Sequence, residues 1–307
     1  MKIAVLYGGV SAERDVSLSS GRGIIEALEK NNHEVIAIDF HPDKINDIIA
    51  LDVDLVFLGL HGKYGEDGRI QGLLDIMGVP YVGSGVAASA LAMDKEKSKQ
   101  IFSSYNLPIA KSKAYTISSD TNINDVVYDI QHHFSTPFVV KPNREGSTLG
   151  LTIVEDVSSI EGAIRKAQQN DHMILVEDYV KGRELTVAVL GSTGKEEALP
   201  IIEIIPKGDL YDYESKYSIG GSEHIIPARV DDQLAEQIKQ YAVQAHQALG
   251  CKTYSRVDFI LNETDTPIIL EVNTLPGMTS TSLFPDAAKA VGMSYETMIE
   301  KFVQLSK

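Results

Sequence analysis

The chain has 307 residues, of which 43% are hydrophobic, and its formal net charge at pH 7 is −15. This length favours roughly two or three domains, and the acidic balance argues against binding to nucleic acid or to an anionic membrane surface. No apolar run has the about 20 residues that a membrane-crossing helix needs. The one cysteine, Cys251, excludes an intrachain disulfide, so we expect a cytoplasmic protein.

The first part of the chain alternates apolar strand patterns with amphipathic helical patterns. Strands are predicted at residues 2–7, 34–40, 55–60 and 80–82, and helices at 16–30, 45–51, 70–77 and 84–92. This alternation predicts an open parallel α/β domain over residues 1–93. Such sheets bind ligands beyond the carboxyl ends of their strands, where the glycine-containing segments 8–14 and 61–68 lie.

A second domain, predicted over residues 94–182, is richer in strands. Asp94 is a suitable cap for a helix over 95–105. Strand patterns follow at 113–116, 138–141, 150–154 and 173–177, with helices at 122–133 and 158–169. They indicate a small α+β module.

The third predicted domain covers residues 183–307. Its strands are predicted at 184–191 and 199–205, and its helices at 231–249 and 295–305. The polar segment 206–223 is long for a structureless loop in a compact domain, and such loops are often lids. We therefore predict that this segment covers a site.

The segment Thr253–Ser282 indicates two strands that pair as a hairpin. Side chains two apart share a face of a strand, so Arg256 lies beside Asp258 and Glu271 beside Asn273. Two carboxylates and an amide oxygen, without Cys or His, suit a hard cation such as Mg²⁺. The alternative is a pair of edge-strand carboxylates that face water.

The segment Lys141–Gly150 is a second candidate site. An apolar strand delivers Lys141, and a loop with two glycines follows, whose backbone N–H groups can cradle phosphates. A plain hairpin turn is the alternative. The P-loop pattern is absent, and Gly8-Gly9 lacks the GxGxxG pattern of a dinucleotide site.

His61, Glu177 and Glu184 each stand at the end or start of a predicted strand. Alone, each is more often structural or solvated. Together with the lysines, the glycine loop, the carboxylate pair and the lid, they form the set of groups that phosphoryl transfer from a nucleoside triphosphate requires.

Seven motifs in order resemble the D-alanine–D-alanine ligases, which are ATP-grasp enzymes of bacterial cell-wall synthesis. They are GGVSAER from Gly8, HG with GEDG from His61, MDK from Met93, KP with REGS from Lys141, YDYE with KY from Tyr211, RVD from Arg256 and EVNTLPGMT from Glu271. The match covers nearly the whole chain. It implies a three-domain ATP-grasp fold, the substrates D-alanine and ATP, two Mg²⁺ ions with Mn²⁺ as a substitute, and a cytoplasmic homodimer.

The resemblance also implies a role for each matching residue. Glu13 would bind the first D-alanine's ammonium within a network that includes Ser147 and Tyr217, and His61 would approach that substrate's carboxylate. Lys95 and Lys141 would hold the ATP phosphates. Glu177 and the Val180 backbone would bind the adenine, and Glu184 would bind the ribose. Asp258, Glu271 and Asn273 would hold the metal ions, Arg256 and Gly277 would stabilise the oxyanion, and Ser282, Lys216 and Leu283 would bind the second D-alanine's carboxylate.

The implied reaction is ligation of two D-alanines through an acyl phosphate. Tyr217 favours the dipeptide over D-alanyl-D-lactate, because relatives that make the latter tend to lack this tyrosine. Which group takes the proton from the attacking amine is open, and Tyr217 is one option. Two alternative hypotheses remain. The protein is an ATP-grasp ligase that joins a different carboxylate and amine, or it is a nucleotide-binding regulatory protein that does not catalyse a reaction.

Overall fold

The computed structural model describes residues 1–146, 148–206 and 221–307. The N-terminal part forms a parallel sheet, as predicted, and its strand order is β2-β1-β3-β4. Its strands are β1 (Lys2–Gly8), β2 (Glu34–Phe40), β3 (Leu55–Leu58) and β4 (Tyr81–Val82). The helices of this part are α1 (Arg14–Lys30), α2 (Ile45–Ile49), α3 (Arg69–Met77) and α4 (Val86–Met93).

Helix α1 packs directly on the first strand. Its apolar stripe, which includes Ile24 and Leu28, is fully buried. The close approach depends on Gly21, because a Cβ there would lie 2.4 Å from Cβ of Tyr7, far inside van der Waals contact. The helix begins beyond the carboxyl end of β1, so Glu13, its N-cap residue, is directed to the edge where ligands of such sheets bind.

The middle part forms an antiparallel sheet in the order β5-β8-β6-β7. Helix α5 (Lys95–Ser104) precedes it, and Asp94 caps this helix as predicted, with Oδ1 accepting from Lys97 N–H at 3.1 Å. The strands are β5 (Ser112–Thr116), β6 (Phe138–Pro142), β7 (Thr152–Val154) and β8 (Met173–Asp178). Helices α6 (Ile123–His133) and α7 (Ile160–Gln168) contribute to its apolar core.

The C-terminal part is built on a larger antiparallel sheet in the order β12-β11-β9-β13-β14, with β10 beside β9. Its strands are β9 (Gly182–Gly191), β10 (Glu197–Ala198), β11 (Ile202–Pro206), β12 (Ser222–Ile225), β13 (Thr253–Asn262) and β14 (Pro267–Asn273). The helices are α8 (Asp232–Ala248), α9 (Leu283–Ala290) and α10 (Tyr295–Leu305). The predicted hairpin of β13 and β14 is confirmed.

Packing does not follow the order of the chain. Apolar residues of α9 and α10, such as Phe284 and Phe302, share a core with the N-terminal sheet. Phe102 of α5 is buried with the C-terminal sheet instead of the middle one. The predicted boundaries at 93/94 and 182/183 stay predictions. The interleaved cores bring the loops of all three sheets to one place.

Three elements differ from the sequence-based expectation. Strand β10 and helix α9 were not predicted. Strand β12 lies partly inside the predicted loop 206–223, because Ser222 pairs with Pro206; residues 207–220 of that loop lie outside the described residues. Within the part of the chain that the structure describes, no helix combines the length and apolar character needed to span a membrane.

Candidate active site

Three adjoining cavities form one cleft where the sheets meet. The innermost, about 50 Å³, is lined by residues that include Glu13, His61, Arg256 and Gly277. It shares Lys95, Glu145, Gly146 and Glu271 with a middle cavity of about 160 Å³. The middle cavity shares Lys141 and Glu184 with an outer cavity of about 440 Å³ between the middle and C-terminal sheets. Shared lining residues therefore connect the three cavities into one continuous cleft.

The hairpin places its polar side chains in register. Arg256 is opposite Asn273, and Asp258 is opposite Glu271. Arg256 donates to both carboxylate oxygens of Asp258, from Nε at 2.9 Å and Nη2 at 2.8 Å. Asn273 Nδ2 and Thr186 Oγ1 donate to the same carboxylate at 3.0 and 2.6 Å. The two bonds from Arg256 fix the plane of its guanidinium group.

The chemistry of this face suits a hard metal ion. Asp258, Glu271 and Asn273 supply oxygen donors from neighbouring positions, and Asn273 directs its amide nitrogen to Asp258, which leaves its oxygen for another partner. In the ranges 1–146, 148–206 and 221–307, no three His, Cys, Asp or Glu side chains cluster closely enough to hold a metal. The predicted set contains only two carboxylates, so it fits a site that a nucleotide's phosphates complete.

Lys95 connects this hairpin to the glycine loop. Its Nζ lies 3.1 Å from Glu271 Oε2 and donates to the backbone oxygen of Glu145 at 2.7 Å. Burial opposes the charge, but Glu271 and the other nearby carboxylates outweigh it, and the pKa of Lys95 is raised. The ammonium group is thus held between the predicted metal face and the loop that follows β6.

Glu177 lies between two buried lysines. Lys141 donates to its Oε1, and Lys99 Nζ lies 3.0 Å from its Oε2. Burial favours the neutral acid, yet the two ammonium groups prevail and lower the pKa of Glu177 to about 2. Burial disfavours the charged form of Lys141 more than the nearby Glu177 carboxylate stabilises it, so the pKa of Lys141 is lowered. The positive charges of Lys99 and Lys95 lower this pKa further. Two cations for one anion leave this wall of the cleft ready for a phosphate.

Lys99 was missed in the sequence, although a signal for it existed. It lies four residues after Lys95 on the predicted helix, so both share one helical face.

The outer cavity is lined by Val180 and Glu184, the residues predicted to contact the adenine and the ribose. Its walls include apolar side chains from both sheets, which suits an aromatic base: Val139, Ile153, Ile204 and Leu270.

His61 fixes the loop that contains Gly277. Its Nδ1 lies 3.0 Å from the backbone oxygen of Leu275, and its Nε2 lies 3.2 Å from Ser20 Oγ. The Leu275 carbonyl can only accept, so Nδ1 carries a proton, and Ser20 Oγ also accepts the N–H of Met278 at 3.1 Å. Burial lowers the pKa of His61, which favours the neutral ring, and in that form Nε2 accepts from the Ser20 hydroxyl. Contact with a substrate carboxylate would require His61 to exchange one of these partners.

Two acids lie beside His61. The ideal Cβ positions of Gly62 and Gly146 lie 3.5 and 3.4 Å from Glu13 Oε2, so this carboxylate fits between two glycines. Glu66, which the sequence analysis missed, accepts the N–H of Gly62 at 2.6 Å. Burial, together with the charge of Glu13, raises the pKa of Glu66 to about 8. Glu66 is therefore neutral at pH 7.

Ser282 is the N-cap residue of α9, and Leu283 is its first residue. Thr279 donates its N–H to Ser282 Oγ at 3.0 Å. A helix N-terminus favours an anion, which agrees with the predicted binding of a carboxylate here. The predicted residues Ser147, Lys216 and Tyr217 lie outside the described residues, so their roles stay predictions, as do the ligand contacts of the others.

Family models match both parts of the chain. One described as D-ala D-ala ligase C-terminus matches residues 101–304, and one described as D-ala D-ala ligase N-terminus matches residues 2–46 and 44–84. A D-alanine–D-alanine ligase of Halalkalibacterium halodurans is 57% identical over 310 aligned positions, covering 100% of this chain and 99% of the relative.

Solved structures agree with the sequence comparison. The VanG D-Ala:D-Ser ligase of Enterococcus faecalis superposes with a TM-score of 0.86 at 31% identity, over 100% of this chain and 99% of that one. The D-alanine–D-alanine ligase of Bacillus anthracis complexed with ATP superposes with a TM-score of 0.84 at 33% identity, over 100% and 97%. The predicted ATP-grasp architecture is thereby confirmed, and the chain belongs to the D-alanine–D-alanine ligase family.

Proposed function

We propose that this protein joins two D-alanines to D-alanyl-D-alanine with ATP, through an acyl phosphate, for peptidoglycan synthesis. The observation that carries the proposal is the shared wall of the cleft. Lys95 and Glu271 border both the innermost and the middle cavity, so a small amino acid and the end of a triphosphate would meet between them. The family membership of the chain supports the same reaction.

The first step needs positive charge around the γ-phosphate. The carboxylate oxygen of the first D-alanine attacks phosphorus, and ADP leaves. Lys95 and Lys141 would neutralise the phosphate oxygens, while Glu13 would hold the substrate's ammonium beside His61. Glu177, Val180 and Glu184 would bind the nucleoside in the outer cavity. Such reactions depend mainly on positioning and charge neutralisation.

Asp258, Glu271 and Asn273 would hold Mg²⁺, which neutralises phosphate charge when bound. We propose two ions, with Mn²⁺ as a substitute. The oxygen-only donor set of this face supports a hard cation, and Glu271 would keep its ion pair with Lys95 at the border between the two cavities.

The second step is attack by the amine of the second D-alanine on the acyl carbonyl. Inorganic phosphate leaves after a tetrahedral intermediate whose oxyanion Arg256 and the Gly277 N–H would stabilise. One such donor is typically worth about 3–4 kcal/mol. Arg256 is held by Asp258, and the loop of Gly277 by His61 and Ser20. Both donors are therefore preorganised.

The second D-alanine's carboxylate would bind at Ser282 and Leu283, with Lys216 approaching from the predicted lid. The acyl phosphate must be shielded from water, which is the role we propose for the segment 206–223. Ser147 and Tyr217 would complete the network around Glu13. We further propose that the protein acts in the cytoplasm as a homodimer.

Product analysis tests the function. ADP release from ATP should depend on both D-alanine and Mg²⁺, and D-alanyl-D-alanine should form in proportion. D-lactate and D-serine, offered in competition, should yield little mixed product. ADP release that D-alanine does not stimulate would refute the proposal, and a preference for another acceptor would change its second substrate.

A further inference from the structure

A chain of three hydrogen-bonded side chains joins β12 to α9. His224 Nδ1 lies 2.7 Å from Asp286 Oδ2, and His224 Nε2 lies 3.2 Å from Ser222 Oγ. The Asp286 carboxylate can only accept, so His224 Nδ1 carries a proton. The Ser222 hydroxyl can either donate to or accept from Nε2, so it can pair with a neutral or a protonated ring. Ser222 lines none of the three cavities of the cleft, so this set is not placed for hydrolysis.

Asp286 lies in the first turn of α9, where its negative charge can compete with an anion bound at the helix N-terminus. Its N–H donates to the backbone oxygen of Ser282 at 3.2 Å. Pro285 has no N–H, so the donors that this helix end directs outward come from Leu283 and Phe284. A carboxylate in the first turn is attracted to the same positive end as a bound anion. An Asp286 that turned toward this end would compete with an anionic ligand.

We propose that His224 is a positioning residue for the second substrate. By holding the Asp286 carboxylate against β12, it keeps the N-terminus of α9 receptive to the carboxylate of the second D-alanine. This inference rests on the proposed function, which puts that carboxylate at Ser282 and Leu283. The pair is 16% and 29% exposed, so water screens its hydrogen bond only in part.

Steady-state kinetics of His224→Ala test the inference. The KM for the second D-alanine should rise about threefold to tenfold while kcat changes little, because the released Asp286 carboxylate would compete with the substrate carboxylate equally in the bound state and in the transition state. Formation of the acyl phosphate, followed by capture with hydroxylamine in place of the second D-alanine, should be unchanged. The KM for ATP should also be unchanged.

Two further variants separate charge from structure. In His224→Ala/Asp286→Asn the competing charge is absent, so the second KM should return to within about twofold of the original value. His224→Gln, whose amide can still donate to Asp286, should keep most of the original affinity. A merely structural role for His224 would leave the double variant as impaired as His224→Ala.

The chain offers a matched control in His33. Its Nε2 lies 2.7 Å from Glu300 Oε2, and the two side chains are 9% and 27% exposed, but this pair joins the segment between α1 and β2 to α10 and involves no residue of α9. His33→Ala should leave the second KM unchanged. An unaltered KM in His224→Ala, or failure of Asp286→Asn to rescue it, would overturn the inference alone. If the unchanged protein formed no dipeptide, the proposed function would be refuted and the inference with it.

Discussion

Lys95 and Glu271 form a partly buried ion pair that joins α5 to β14, with Nζ 3.1 Å from Oε2. Both residues border the two inner cavities of the cleft. Glu271 therefore lies between a cation and an anion. The Lys95 ammonium group is beside it, and Asp258, a predicted metal ligand, is opposite it in the hairpin. In the proposed reaction this pair would couple phosphate binding to the metal face.

Replacement of Glu271 by Gln should abolish turnover without unfolding the protein. The amide keeps the shape of the side chain and can still accept from Lys95, but it removes the negative charge that a metal ion needs. We expect kcat to fall by about 10²- to 10³-fold or more, as measured by ADP release. The thermal midpoint should change by only a few degrees.

Glu263→Gln is the matched control for this variant. Glu263 lies in the turn of the same hairpin, 69% exposed and paired with Lys181 at 2.9 Å. Surface pairs contribute little to stability, so this variant should resemble the original protein in kcat and stability. Near-normal turnover of Glu271→Gln would exclude Glu271 from the metal site.

Glu177→Gln should destabilise the protein strongly. The change leaves Lys141 and Lys99 buried without a compensating anion, and breaking a buried pair in this way typically costs about 3–5 kcal/mol. Urea unfolding measures the loss. The double variant Glu177→Gln/Lys99→Met should recover part of the stability, because one uncompensated charge is removed. Equal stability of the original and Glu177→Gln proteins would contradict the buried triplet.

The pH dependence of the same variant has a definite sign. The pKa of Glu177 falls from its ordinary 4.5 to about 2 in the folded protein. Its contribution is therefore fully present above pH 4.5 and is lost as the pH falls toward 2. Between these values the original protein should lose stability more steeply than Glu177→Gln. Identical slopes would show that Glu177 titrates normally.

The hairpin was predictable because local patterns define it. The apolar run at 268–270 and the turn around Asn262–Pro267 indicated the two strands, and the two-residue spacing of the polar side chains indicated their shared face. Helix α9 was not predicted, since it has eight residues and contains Pro285. Short apolar segments of this kind carry little periodic signal.

Contacts between distant segments could not be derived from spacing. His61 and Leu275 are 214 residues apart in the chain, and Ser20 and Met278 are 258 apart. Sequence periodicity identifies which face of each element is apolar but not which element covers it. The same holds for Glu66, whose raised pKa results from burial next to Glu13.

His61→Ala should reduce kcat more than stability alone explains. The variant removes the contact with the Leu275 carbonyl and the partner of Ser20, so the Gly277 N–H is no longer fixed. A misplaced oxyanion donor typically lowers kcat by about 10²- to 10³-fold. His246→Ala is the control, because His246 is also buried and contacts Ser255 Oγ at 2.7 Å, outside the cleft. It should lower the thermal midpoint but leave kcat nearly unchanged; equal kcat losses in both variants would contradict a role for His61 in the site.

We expect the ionisation of Glu66 to shape the alkaline limb of the pH–rate profile. Because its pKa is about 8, the acid is neutral at pH 7 and ionises as the pH rises. The ionised Glu66 would place a negative charge in the cavity that His61 also lines, where it would repel the carboxylate of the first D-alanine. The kcat/KM for the first D-alanine should therefore fall above pH 8. In Glu66→Gln the amide oxygen can still accept from Gly62 N–H but cannot ionise, so activity at pH 7 should be retained and this decline should disappear. An unchanged alkaline limb in the variant would assign the decline to another group.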